Sequence, residues 1–207
     1  MVGIKTLLLT GGIIHDWQGC GDEIERILRA SGEFDLTRVN DNMSVLEAPN
    51  LDVYDVMVFY WTRGELVGAR KDGLLNWVAS GKGFVGVHSA AASFWDCKEF
   101  HDMLGGMFKT HPKPREYTVE IVDYQHPIMR DMDDFTVFDE QYVMNLSPDM
   151  HVLAEAKYEG ENVPAAWTKS WGDGRVYFLA LGHDPEACRN EHFTPLLIRG
   201  AIWAANG

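Results

Sequence analysis

Apolar residues gather in short blocks along the first half of the chain, and polar windows with helical spacing separate them. "IKTLLLT" (4–10), "FDLTRVN" (34–40) and "YDVMVFYW" (54–61) read as strands, whereas "DEIERILRASG" (22–32) and "ELVGARKDGLLNWVASG" (65–81) read as amphipathic helices. In the second helical window Leu66, Leu74, Trp77 and Val78 share a side and Gly81 suits a left-handed cap, although Gly68 and Gly73 lower its intrinsic helicity. "GFVGVHS" (83–89) is apolar without alternation, as a strand buried on both faces must be. This β-α repetition predicts an α/β fold with a mainly parallel sheet covered by helices on both sides.

From about residue 115 the texture changes. "REYTVEIVD" (115–123), "FTVFDEQYVMNL" (135–146), "HVLAEAKY" (151–158), "PAAWTKSW" (164–171) and "GRVYFLALG" (174–182) are strand-like runs bounded by turn signals, expected to extend the sheet with antiparallel strands. The closing stretch "NEHFTPLLIRGAIWAANG" (190–207) carries Phe193, Leu196, Leu197, Gly200, Ala201 and Ala204 on a broad apolar face that would pack on the sheet. No repeat or low-complexity linker divides the 207 residues, and 46% hydrophobic content suffices for one core, so a single domain over 1–207 is expected.

Charge narrows the partners. Eighteen Lys and Arg stand against 31 Asp and Glu, a net charge of −13 with no basic run, which disfavours nucleic acid and anionic membrane surfaces. No segment is long enough to span a membrane, and "MVGIKTLLLTGG" makes a poor secretory signal. Cys20, Cys97 and Cys188 are odd in number and widely spaced, which fits reduced thiols in a cytoplasmic protein better than a disulfide framework or a thiolate zinc knuckle. An aromatic content of 12% would supply an interface, and a homodimer is the expected assembly.

In an open parallel sheet, ligands bind beyond the carboxyl ends of the strands. Four strand ends deliver polar groups there: Gly11, Gly12, His15 and Asp16 after the first strand; Trp61, Thr62 and Arg63 after the strand ending near Tyr60; His88 and Ser89 after "GFVGV"; His183 and Asp184 after "RVYFLALG". Any one of these has an ordinary explanation, since a lone loop His more often satisfies a hydrogen bond, but their joint placement points to a site. Gly11-Gly12 lacks the G-x-G-x-x-G or P-loop context and reads best as a tight turn. In "GKGFVGVHSAAASFW" (81–95) a buried strand turns into what reads as a helix, the geometry hydrolases use for a nucleophile, yet His88 holds the apex. Asp139-Glu140 lies within an apolar strand window, where a carboxylate facing inward would need a histidine or metal partner. His111 and His126 precede prolines in turns; His101, His151 and His192 sit in ordinary helix or strand contexts without an assigned role. Trp167 and Trp171 could stack on a sugar ring, although burial is the commoner fate of a tryptophan.

With these residues in view, the chain resembles the ThuA-like family, named for trehalose utilisation, within the class I glutamine amidotransferase-like superfamily. The resemblance runs almost end to end, through "LLTGG" and His15, "YDVMVFY", "GKGFVGVHSA", "LGGMFKTHP", "HPI" (126–128), "DEQY" (139–142), "PAAWTKSWGDGRVYFLALGHD" and "LLIRGAIWAA". It implies a flavodoxin-like three-layer fold and a role in sugar metabolism, often beside oxidoreductases that make keto-sugars. The amidotransferase elbow reads G-x-C-x-G; here Gly86, His88 and Ala90 take those places, so glutaminase activity is not expected. "GHDPE" (182–186) is similar to the amidotransferase H-P-E segment and puts His183 near the elbow.

The expected chemistry is proton transfer on a sugar or keto-glycoside, by isomerisation, elimination or hydrolysis. His88, Glu140, His183 and Arg63 are the candidate catalytic groups, and Gly12, His15, Trp61, Ser89, His111 and Asp184 the candidate substrate contacts. His88, His183 and Glu140 would hold a divalent metal such as zinc if one is bound. A non-catalytic sugar-binding or regulatory protein is the alternative, and a serine hydrolase using Ser89 ranks below it, since Ser89 is one residue past the apex.

Overall fold

The computed structural model describes residues 3–206. In chain order the elements are β1 (Ile4–Gly12), α1 (Trp17–Ser31), β2 (Phe34–Asn40), β3 (Val56–Thr62), α2 (Gly68–Ala79), β4 (Gly83–Val87), α3 (Lys98–Leu104), β5 (Gly106–Thr110), β6 (Arg115–Ile121), β7 (Phe135–Asp139), β8 (Val143–Leu146), β9 (His151–Tyr158), β10 (Glu161–Trp171), β11 (Gly174–Leu179), α4 (Pro185–Cys188) and α5 (Phe193–Ala205). Nine strands form one sheet in the order β2-β1-β3-β4-β11-β10-β9-β6-β7, and β5 pairs with β8 separately.

The sheet is the expected mixture. β2, β1, β3, β4 and β11 are mutually parallel, and β10, β9, β6 and β7 follow with each neighbouring pair antiparallel. Four successive reversals return β7 to the direction of β11, so its carboxyl end lies at the same edge as those of the parallel strands. That parity brings the residue after β7 to the site edge.

Side chains alternate across the strands and build two cores. Leu8, Val58, Tyr60 and Val85 face α1 and α5, against Ile24, Leu28, Leu197 and Ala201. Leu7, Leu9, Met57, Phe59 and Phe84 face α2 and α3, against Leu74, Val78, Phe100 and Leu104. β3 is buried along its whole length, as a strand covered on both faces should be. Three layers result. Trp167 is wholly buried in the second core, stacked on Phe178, and donates its indole N–H to Leu104 O; it is a packing residue and not a sugar platform.

Three local departures from the sequence reading shape the site. The apolar run 135–146 is two strands in two different sheets, with residues 140–142 as the break between them. Beyond β4 the chain makes only a short 3-10 turn over His88–Ala92, and α3 waits until Lys98. α1 begins at Trp17, five residues earlier than the periodic window, because the Asp16 side chain caps it by accepting from Gly19 N.

Candidate metal centre

The elbow after β4 holds His88 at φ +39, a left-handed conformation unusual for a residue with a side chain, and buries it completely. Around it stand His15 from the β1–α1 loop, His183 from the β11–α4 loop and Glu140 from the β7–β8 break. One ligand-type atom from each of the four lies within 4.8 Å of all the others. The three imidazole rings surround a common point, with centroids 5.2, 5.3 and 5.4 Å apart. Glu140 Oε2 is 3.4 Å from His88 Nε2, 3.1 Å from His183 Nδ1 and 3.9 Å from His15 Nε2.

The outward partner of each ring decides which nitrogen faces that point. His88 Nδ1 is 2.6 Å from Ala180 O, which can only accept, so Nδ1 carries the hydrogen and Nε2 presents a lone pair. That lone pair looks at an ionised carboxylate, also an acceptor. Close as they are, His88 Nε2 and His183 Nδ1 have no aligned hydrogen-bond partner among the described residues, and both are buried. His15 is oriented likewise, with Nδ1 2.7 Å from Thr62 Oγ1 and Nε2 turned inward, where the Tyr142 hydroxyl reaches it at 3.3 Å. His88 Nε2 and Glu140 Oε2 face each other as two acceptors, and such a pair needs a proton or a cation between them.

The carboxyl group of Glu140 would be pushed up by burial, but the close imidazoles of His15, His183 and His88 outweigh this and hold it well below the usual carboxylate range. His183 is raised by the Glu140 carboxylate beside it, against the opposing effect of burial. His15 is lowered, because burial outweighs the help it receives from Glu140. Tyr142, packed against His88 with ring centroids 4.0 Å apart and planes tilted by 37°, is kept protonated by burial.

The centre opens into a cavity of about 280 Å3. His15, Glu140, Tyr142 and His183 line its floor; Ile14, Arg63, Trp95, Phe108 and His111 line the rest. The Arg63 guanidinium lies 3.9 Å over the Trp95 ring. His111 Nδ1 is 2.9 Å from Glu140 Oε1 and 2.8 Å from Pro112 O, both acceptors, so its hydrogen sits there and Nε2 is left as a base.

Of the residues anticipated from sequence, His15, Arg63, His88, His111, Glu140 and His183 meet here. Trp61 does not: its ring stacks on Phe59 within the second core. Ser89 is wholly buried, and among the described residues its Oγ has no hydrogen-bond partner and no base addresses it. Asp184 caps α4 by accepting from Ala187 N. Gly12 lies against β3, where a Cβ would come 2.1 Å from Thr62 O, so its role is close backbone approach. Tyr142 and Trp95 were missed; Tyr142 follows the acidic pair by two residues, the signal that could have found it. Cys20, Cys97 and Cys188 are all buried and unpaired, away from the elbow apex.

The family model described as trehalose utilisation, ThuA, matches residues 5–204. The chain belongs to this family. A crystal structure described as ThuA-like, from Parabacteroides merdae, is 25% identical with a TM-score of 0.91, covering 99% of this chain and 91% of that one. A Salmonella typhimurium structure described as a cytoplasmic protein is 14% identical with a TM-score of 0.71, over 97% of this chain and 99% of that one. A glutamine amidotransferase from Thermotoga maritima shares the fold at 13% identity and a TM-score of 0.61, covering 99% of both chains. No curated protein sequence matches significantly. Family membership associates the ThuA chain with sugar utilisation. Among the described residues no helix is long and apolar enough to cross a membrane.

Proposed function

We propose that this ThuA-family chain is a cytoplasmic, metal-assisted enzyme that moves a proton on a sugar or keto-glycoside. The observation that carries the reading is the inward lone pair of His88 Nε2, fixed by Ala180 O and set 3.4 Å from the acceptor-only Glu140 Oε2. Three imidazoles and one carboxylate match the donor set of zinc, whose ligands at about 2.0–2.2 Å stand roughly 3.3 Å apart in a tetrahedron. A divalent cation there would polarise a carbonyl or hydroxyl oxygen of the sugar.

The chain's own residues supply the rest. Glu140 faces the centre through Oε2 and holds His111 through Oε1, so His111 Nε2 is the group placed to take a proton from the carbon beside a carbonyl. Arg63, with no hydrogen bond or ion pair from its side chain among the described residues, is free to steady negative charge on the substrate. Ile14, Trp95 and Phe108 give the cavity apolar surface on which a sugar ring could rest.

The test is elemental analysis together with NMR of solvent deuterium incorporation into a keto-glycoside. The wild-type protein is expected to retain about one divalent ion per chain and to catalyse exchange beside the carbonyl. Stripping with a chelator, His88→Ala and His183→Ala should remove both. His111→Ala should retain the ion while exchange falls by roughly two orders of magnitude or more. A wild-type protein that binds sugar but neither ion nor deuterium would favour the non-catalytic sugar-binding reading.

A further inference from the structure

Asp139 is not among the four converging side chains, yet it grips the backbone of two of them. Its buried carboxylate accepts from Glu140 N at 2.7 Å and from His183 N at 3.2 Å through Oδ1, and from Gly182 N at 2.7 Å through Oδ2. The other side of the same 182–183 segment is held by Tyr60, whose hydroxyl is 3.1 Å from both carbonyls.

Sheet topology gives this grip its importance. β7 is an edge strand, separated from β11 by β10, β9 and β6, so no ladder hydrogen bond joins the strand that delivers Glu140 to the one that delivers His183. Their 3.1 Å separation therefore depends on contacts made beyond the strand ends. Asp139 makes such a contact with both backbones at once. A carboxyl group suits it because it offers two acceptor oxygens to the three converging N–H donors, whereas an asparagine offers one oxygen and turns an NH2 toward an amide N–H.

We propose that Asp139 is a positioning residue that sets the spacing of Glu140 and His183, and with it the affinity of the centre for a divalent cation. The proposal rests on the metal reading above. Ligand orientation by hydrogen bonds from outside the ligand set typically changes metal affinity 10–100-fold.

Zn2+ affinity of the full chain would be measured by competition with a chromophoric chelator, and ligand geometry by the visible spectrum of the Co2+ form. Asp139→Asn should bind Zn2+ roughly 10–100-fold more weakly and shift the Co2+ bands. Asp134→Asn provides the control, because Asp134 accepts from Ile121 N at 2.7 Å away from the centre; it should leave Zn2+ affinity and Co2+ spectrum unchanged even if melting falls. In a Glu140→Gln background, Asp139→Asn should cost less affinity than in the wild type, since one of the two ligands it positions is already impaired. Should Asp139→Asn fail to fold, Asp139→Ser is measured in the same way. Wild-type Zn2+ affinity and Co2+ spectrum in a folded Asp139 variant would overturn the positioning role alone. Absence of Zn2+ binding by the wild type would overturn the metal reading and the positioning role with it.

Discussion

At the scale of single residues, the site depends on which nitrogen of each imidazole carries the proton. His88 and His15 have outward nitrogens engaged by Ala180 O and Thr62 Oγ1, so each turns Nε2 inward. Protons and a cation then compete for the same lone pairs. His183 is raised by the Glu140 carboxylate beside it, so protons contest it to a higher pH than an ordinary imidazole of about 6.5. Zn2+ affinity at fixed free metal should therefore fall between pH 8 and pH 5, with the fall already under way above that ordinary value; isothermal titration across the range checks this, and a flat profile would contradict it. The metal-free chain has the opposite sign at this residue. A raised folded-state pKa adds stability that is complete below the unfolded value and lost as pH rises through the folded one. Much of this set was legible in the sequence, because His15, His88 and His183 each follow an apolar strand at the edge where α/β sheets bind ligands. Trp61 stands at the same edge, but it lies within β3 and its side chain turns into the core. Strand-end position gives the edge; which side of the sheet the side chain takes depends on alternation at the strand's last residue, and one residue of error reverses it.

At the scale of elements, the sequence pattern located β2 and β9 to the residue and the parallel strands closely, since their apolar blocks are short and bounded by turn residues. It did not show that 135–146 breaks at Glu140. Apolar residues resume directly beyond Asp139-Glu140-Gln141, as in one strand carrying a polar patch, and the two pieces separate because Val143–Leu146 finds its partner in Gly106–Thr110. Tertiary pairing made that division, and it is the division that frees Glu140 for the site. The closing helix was anticipated from its apolar face, and its contact with the sheet is tight. At Gly200 a Cβ would lie 2.2 Å from the ring of Tyr177 on β11, a wholly buried side chain. Alanine would gain about 1 kcal/mol of helix propensity, but overpacking against a ring that cannot withdraw costs about 1–3 kcal/mol. Gly200→Ala should therefore lower the denaturant midpoint, and an unchanged or higher midpoint would show that α5 can slide on the sheet.

At the scale of the whole molecule, the centre is held by four chain segments far apart in sequence: the loops after β1 and β11, the elbow after β4 and the break after β7. The antiparallel half matters to the site chiefly because its parity returns β7 to the same edge. A cation bound there would tie both halves of the sheet together and would bind the folded chain but not an unfolded one whose ligands are dispersed. At a free Zn2+ concentration of 100 times Kd, linkage adds about 2.7 kcal/mol to stability. For a domain of this size each kcal/mol moves the melting temperature by about 2–4 °C, so saturating Zn2+ should raise it by roughly 5–10 °C. Because the ligands come from both halves, the rise should appear in a single cooperative transition and not as a second one. His183→Ala should abolish it, while His126→Ala, on a histidine outside the cluster, should keep it. Scanning calorimetry of the three proteins with and without Zn2+ decides the matter. An equal rise in all three would mean that the ion binds elsewhere, and a rise confined to one of two separated transitions would mean that the two halves of the sheet melt independently.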